Sequence, residues 1–145
     1  MNISIASDHG GFALKERVSQ YLKDKGYEVT DCGTYSSDSC DYPDFGAKAA
    51  RLVSEGKCQR GIVICTTGIG IGIAANKIKG VRCALCLNTD MALMTRKHND
   101  ANMLAMGAKY VTAQQAFEIT DVFLSTDFEG GRHSKRVDKL MDLER

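Results

Sequence analysis

The run Gly61-Ile-Val-Ile-Cys-Thr-Thr-Gly-Ile-Gly-Ile-Gly-Ile-Ala-Ala-Asn-Lys77 decides the fold. Ile62 to Ile64 is a short β-branched apolar stretch that stops at Cys65. A glycine-punctuated loop follows, and Ile73, Ala74, Ala75, Asn76 and Lys77 read as the first turns of a helix. Such a strand, loop and helix start exposes unpaired backbone N–H groups that attract anions, while the strand end holds one side chain still. That side chain is Cys65, and an oriented positive potential at such a junction favours thiolate over thiol. Cys65 is therefore a candidate base or nucleophile. The plainer alternative is a small apolar residue closing a buried strand.

Working outward, Asn2 to Ala6 is a β run that ends in Ser7-Asp-His-Gly-Gly11, after which Leu14, Val18, Tyr21 and Leu22 recur with helical spacing up to Gly26. Tyr27 to Cys32 predicts a second strand. Gly33 to Asp44 is polar, holds the only proline and predicts a surface loop, with Asp44 capping a helix to about Glu55. Beyond the glycine loop, the pattern predicts a strand at Arg82–Leu87, a helix from Thr89 to about His98 and a short strand at Met103–Met106. Thr112 and Gln115 have capping-box spacing for a helix through Phe123, and a last helix, about 132–144, follows Gly130-Gly131. Strands alternating with helices in this way predict an α/β fold: a Rossmann-like three-layer α/β/α sandwich with a five-stranded parallel sheet, in one domain over residues 1–145. Ligands of such sheets bind at the carboxyl ends of the strands, where Asp8-His9 and Cys65-Thr66-Thr67 both fall.

The totals narrow the function classes. With 19 Lys and Arg against 18 Asp and Glu, the net charge of +1 gives no reason to expect nucleic acid or a membrane surface as partner. No long apolar span or signal-like start is present, so a cytoplasmic protein is expected. The six cysteines sit largely in apolar runs and read as reduced. Cys83 and Cys86, three apart in a strand, point to opposite faces and make a poor redox pair.

Other motifs have duller readings to set beside the functional ones. Gly68-x-Gly70-x-Gly72 follows the third strand rather than the first and lacks the acidic residue about 20 positions on, which argues against a dinucleotide site. Asp8 and His9 leave an apolar strand together at the ligand edge, where an aspartate also serves as a helix cap. His98-Asn99-Asp100 closes a helix, where a histidine is commonly a favourable cation. Arg132 and Arg136, four apart, share a helix face and offer a phosphate fork, or simply a solvated basic surface. No histidine and carboxylate pair stands out with metal-ligand spacing, so no metal is expected.

Taken together, Ser7-Asp-His-Gly-Gly11, Asp41-Tyr-Pro-Asp44, Cys65-x-Thr-Gly-x-Gly70, Ala74-Ala-Asn-Lys77, His98-Asn-Asp-Ala-Asn102 and Gly130-Gly-Arg-His133 resemble the ribose-5-phosphate isomerase B family, which includes galactose-6-phosphate and allose-6-phosphate isomerases. The six ordered motifs span nearly the whole chain. The resemblance implies an aldose–ketose isomerase acting through a cis-enediolate, with a phosphorylated sugar as ligand and no cofactor. It implies Cys65 as general base, Thr67 with the amides of Thr66, Gly68, Ile69 and Gly70 around the enediolate, and His98 in ring opening. Asp8 is implied at the sugar hydroxyls, His9 and Asn99 at the substrate, and Arg132 and Arg136 at the phosphate. It further implies a homodimer, or a dimer of dimers, in which His98 and Asn99 reach the partner's Cys65. Three residues depart from the family pattern: Thr66 where glycine is usual, Gly72 where serine is common, and Lys109 where an arginine often binds phosphate. A β-branched residue restricts the anion loop and a lysine lacks the guanidinium fork, so these bear on which sugar is used.

Overall fold

In the computed structural model, which describes residues 1–144, strands and helices alternate from the first strand to the fifth helix. The strands are β1 (Asn2–Ser7), β2 (Glu28–Asp31), β3 (Arg60–Cys65), β4 (Cys83–Leu85) and β5 (Met103–Gly107). The helices are α1 (Phe12–Asp24), α2 (Tyr42–Ser54), α3 (Ile69–Asn76), α4 (Thr89–Asn99), α5 (Ala113–Ser125) and α6 (Arg132–Asp142). The sheet is wholly parallel with the order β2-β1-β3-β5-β4.

Period-two alternation explains the layering, because successive strand residues face opposite sides. Ile3, Ile5, Ile62, Ile64, Leu104 and Met106 join one apolar cluster with side chains of α1, α4 and α5. Ala6, Val63, Cys65, Met103 and Ala105 join a second with α2 and α3. Both faces of the sheet are thus covered, as its continuous apolar runs require. Cys83 packs on the second cluster and Cys86 lies in the first, on the opposite faces expected of them. The capping box before α5 is formed in both directions, Gln115 N to Thr112 Oγ1 at 3.2 Å and Thr112 N to Gln115 Oε1 at 2.8 Å.

Three boundaries differ from the sequence reading. Helix α3 starts at Ile69, four residues before the expected Ile73, so Gly70 and Gly72 are helical and the loop shrinks to Thr66–Gly68. Gly68 makes the break: it takes the left-handed conformation, φ 77°, and Ile71, Gly72 and Ala75 of the run after it are buried, while Ile69 and Ile73 stay exposed. Helix α2 starts at Tyr42 with Asp41 as N-cap, so Asp44 lies inside the first turn. Pro43 fits there because the first turn needs no N–H from it. The expected strand at Arg82–Leu87 contracts to β4, a short edge strand, although Cys86 N still donates to Ala105 O at 3.1 Å.

Candidate active site

From β1 the chain passes to β2 on one side and reaches β3 on the other. The strand order therefore reverses between β1 and β3, where open α/β sheets bind their ligands. Register puts Ser7 beside Ile64, so Asp8 and Cys65 leave the sheet next to each other at its carboxyl edge. Cys65 is buried, and its Sγ accepts a hydrogen bond from Gly68 N at 3.1 Å. Thr67 Oγ1 accepts from Ile69 N at 3.2 Å. Next in the first turn of α3, the amides of Gly70 and Ile71 have no hydrogen-bond partner among the described residues. The site thus offers one fixed thiol, one hydroxyl and, at half-buried Gly70, one open backbone donor at a helix N-terminus, a setting suited to an anion; Ile71 is fully buried.

The neighbouring loops close around this group. Asp8 is buried and its Oδ1 accepts from Gly11 N at 3.0 Å; Gly11 is itself the N-cap of α1 and no side chain caps that helix, so Asp8 fixes the turn at the ligand edge and does not serve as a cap. His9 is exposed, and its Nδ1 accepts from Cys40 N at 3.2 Å, which ties the turn after β1 to the loop before α2. Thr66, also exposed, lays its side chain against Gly10, where a Cβ would collide with Thr66 Oγ1. Its carbonyl accepts from Lys109 N at 2.9 Å, which fixes the Lys109 backbone at the same edge. The Lys109 ammonium lies 5.9 Å from the centre of the Tyr110 ring.

His98, Asn99, Arg132 and Arg136 form a second group elsewhere. Cys65 pairs with Gly107 at one end of the β3–β5 ladder, whereas Met103, three residues after the C-cap Asp100 of α4, pairs with Gly61 at the other. Four strand steps span roughly 13 Å, so within one chain His98 and Cys65 lie at opposite ends of the sheet. The His98 ring stacks on His133 with centroids 4.3 Å apart and planes 15° from parallel. Asn99 Oδ1 accepts from Thr95 Oγ1 at 3.0 Å. Arg132 and Arg136 are exposed on the first turns of α6.

Sequence reasoning gave no role to several residues that shape this second group. Asp100 ends α4 in the left-handed conformation, φ 47°. Arg96, 3% exposed, holds it by an ion pair at 2.9 Å and donates to Ala101 O at 2.6 Å, while Arg82 donates to Asp100 O at 2.7 Å. Read as a sequence, both arginines are ordinary surface cations. Tyr42, at the start of α2, lies against Gly70 so closely that a Cβ there would sit 2.8 Å from its ring. His133 belongs to a quoted motif but had no assigned task.

Burial raises the thiols of Cys32, Cys58, Cys83 and Cys86 above the ordinary range. All six are free thiols. Burial pushes Cys83 and Cys86 up to about 12 and Cys32 up to about 11, so these three stay protonated and unreactive at neutral pH. Burial, with the nearby charges of His98 and Arg132, pushes His133 below the usual histidine range. Among the described residues no helix is long and apolar enough to cross a membrane.

The comparisons with known proteins agree with one another. A family model described as Ribose/Galactose Isomerase matches residues 3–140. Ribose-5-phosphate isomerase B of Escherichia coli (strain K12) is 42% identical, over 98% of this chain and 95% of its own. The structure of Clostridium thermocellum ribose-5-phosphate isomerase B superposes with a TM-score of 0.98 at 53% identity, covering 99% of this chain and 97% of that one. The Mycoplasma genitalium ribose-5-phosphate isomerase B with bound ribulose-5-phosphate superposes at 0.95 with 43% identity, covering 99% and 95%.

Proposed function

The chain belongs to the ribose/galactose isomerase family, and from that premise we propose that it interconverts ribose 5-phosphate and ribulose 5-phosphate at a site completed by a second copy of itself. One observation carries the mechanism: Cys65 is held at the sheet's switch point by Gly68 N, beside the Thr67 hydroxyl and the open amide of Gly70. Proton transfer next to a carbonyl needs a base and donors for the developing oxyanion, and this group supplies both kinds.

In the open-chain aldose, Cys65 as thiolate takes the C2 proton. The electron pair forms the C1–C2 double bond and the carbonyl electrons move to O1, giving a cis-enediolate bound by the Thr67 hydroxyl and the open amide of Gly70, while Gly68 N stays on Cys65 Sγ and Ile69 N on Thr67 Oγ1. The O2 proton passes to O1, C2 becomes the carbonyl carbon, and Cys65 returns its proton to C1. Asp8 receives the sugar hydroxyls. Arg132, Arg136 and Lys109 surround the phosphate, His9 contacts the substrate, Asn99 bonds the sugar, and His98 moves the proton that opens the furanose. No cofactor enters the scheme.

The distance between the two groups supports a shared site. His98 and Asn99 lie at the far end of the sheet from Cys65 in their own chain, and the stack of His133 on His98 keeps the start of α6 with them; a two-fold contact would bring each set to the other subunit. Exposed Leu87 after the edge strand β4, Met91 on α4, Leu140 on α6 and Leu143 at its C-cap leave apolar surface for such a contact. The runner-up substrate is a hexose 6-phosphate, of the galactose or allose type.

Incubating the protein with ribose 5-phosphate in deuterated water tests the reading. Ketose carrying deuterium at C1 is expected, and Cys65→Ser should abolish its formation while sparing substrate binding, because a hydroxyl is far too weak an acid to serve as the base. Near-normal turnover in Cys65→Ser would remove Cys65 from the mechanism.

A further inference from the structure

We propose that His98, Glu129 and His133 form a binding site for a divalent transition-metal ion of the zinc class, where α4 ends and α6 begins. Candidate ligand atoms on the three residues lie within 4.8 Å of one another. Glu129 Oε1 is 3.6 Å from His133 Nε2, and the His98 ring is stacked on that of His133. The backbone holds the pieces together: Glu129 N donates to Lys97 O at 3.1 Å, and His133 N to Gly130 O at 3.1 Å.

The second observation is an orphan. His133 is only 5% exposed, yet its Nε2 has no hydrogen-bond partner. Buried ring nitrogens are nearly always bonded, and one that is not calls for a partner. A metal ion is such a partner, and the same nitrogen faces the Glu129 carboxylate.

The donor set selects the ion. Two imidazoles and a carboxylate suit zinc, with an open fourth position, whereas calcium and magnesium prefer oxygen ligands throughout. Zinc bonds of about 2.0–2.1 Å put tetrahedral ligands roughly 3.3 Å apart; Glu129 Oε1 and His133 Nε2, at 3.6 Å, are nearly there, and the widest pair must close by up to about 1.5 Å. His133 is fixed by burial, while exposed Glu129 and half-buried His98 can move. The His98 ring must also turn out of its stack, because two nearly parallel rings cannot aim their lone pairs at one point. Arg132 beside the site disfavours a cation bound by charge alone, which again favours ligands that bond covalently to the metal.

One consequence rests on the proposed role of His98 in ring opening: with its nitrogen on a metal, it cannot move that proton, so zinc should inhibit. Calorimetric titration of the purified, chelator-treated protein with zinc chloride tests the site. One ion per chain is expected, with binding weakened at least about tenfold in Glu129→Gln and in His133→Gln. Glu129→Gln should keep its basal isomerase activity and lose inhibition by zinc. Zinc binding as tight in both variants as in the parent would overturn the proposal. Binding lost in both variants, with the parent's activity indifferent to zinc, would uphold the metal site and remove His98 from the reaction.

Discussion

Gly68→Ala tests the geometry that fixes Cys65. Gly68 has φ 77° and caps α3, and an alanine there pays roughly 1–2 kcal/mol for the left-handed backbone. Its Cβ would also stand 2.7 Å from Leu85 Cδ1, 2.7 Å from the Met106 carbonyl carbon and 2.9 Å from Gly107 N. The leucine can rotate away, but Met106 and Gly107 are backbone of β5 and cannot. Forcing a methyl into such a contact costs about 1–3 kcal/mol more. The total loss should therefore be about 2–5 kcal/mol. Gly26 supplies the control, because its φ is 92° and nothing lies within 4 Å of a Cβ there. Gly26→Ala should thus cost only the backbone part, about 1–2 kcal/mol. Urea unfolding of both variants at one protein concentration measures the difference, since assembly makes stability concentration-dependent. Gly68→Ala should also lower kcat, because any shift of Gly68 disturbs the N–H held on Cys65 Sγ. Equal losses for the two variants would mean that β5 yields, and the claim of a rigid cradle would be refuted.

Two further expectations concern the substrate. Arg136→Ala should raise KM for the phosphorylated sugar roughly 10- to 150-fold with little change in kcat, the equivalent of about 1.5–3 kcal/mol of charged hydrogen bonding present in ground and transition states alike. An unchanged KM would make that face of α6 a solvated surface. Thr66→Gly removes the side chain lying against Gly10 and should change the ratio of kcat/KM between pentose and hexose phosphates. Equal changes for both sugars would reduce Thr66 to a loop-stability residue.

Much of this arrangement was legible in the residues, and the misses have physical reasons. The strands at Asn2, Arg60 and Met103 are readable because both faces of a parallel sheet are buried and each carries a dense β-branched or apolar run, broken in the first only by the small buried Ser4. The capping box at Thr112 is a local motif and formed as expected. The start of α3 was misplaced because glycine usually signals a loop, whereas here Gly70 is helical and leaves room for Tyr42. Pro43 reads as a loop residue for a similar reason, although the first turn of a helix accepts it. Strand order is not written in chain order, so the distance between His98 and Cys65 became measurable only from the β3–β5 register. The cluster of Glu129, His133 and His98 escaped because its members lie 4 and 31 positions from one another and meet only where α4 ends against the start of α6.

Subunit mixing tests the shared site most directly. Cys65→Ala and His98→Ala proteins, each nearly inactive, are dissociated together and allowed to reassemble. In a mixed dimer one site combines both defects, while the other combines an intact Cys65 with an intact His98 of the partner subunit. Random reassortment makes about half of the dimers mixed, so roughly a quarter of parental activity should return. If both residues serve one site within a single chain, no pairing restores it, and activity that stays at the level of the two variants after confirmed exchange would contradict the account.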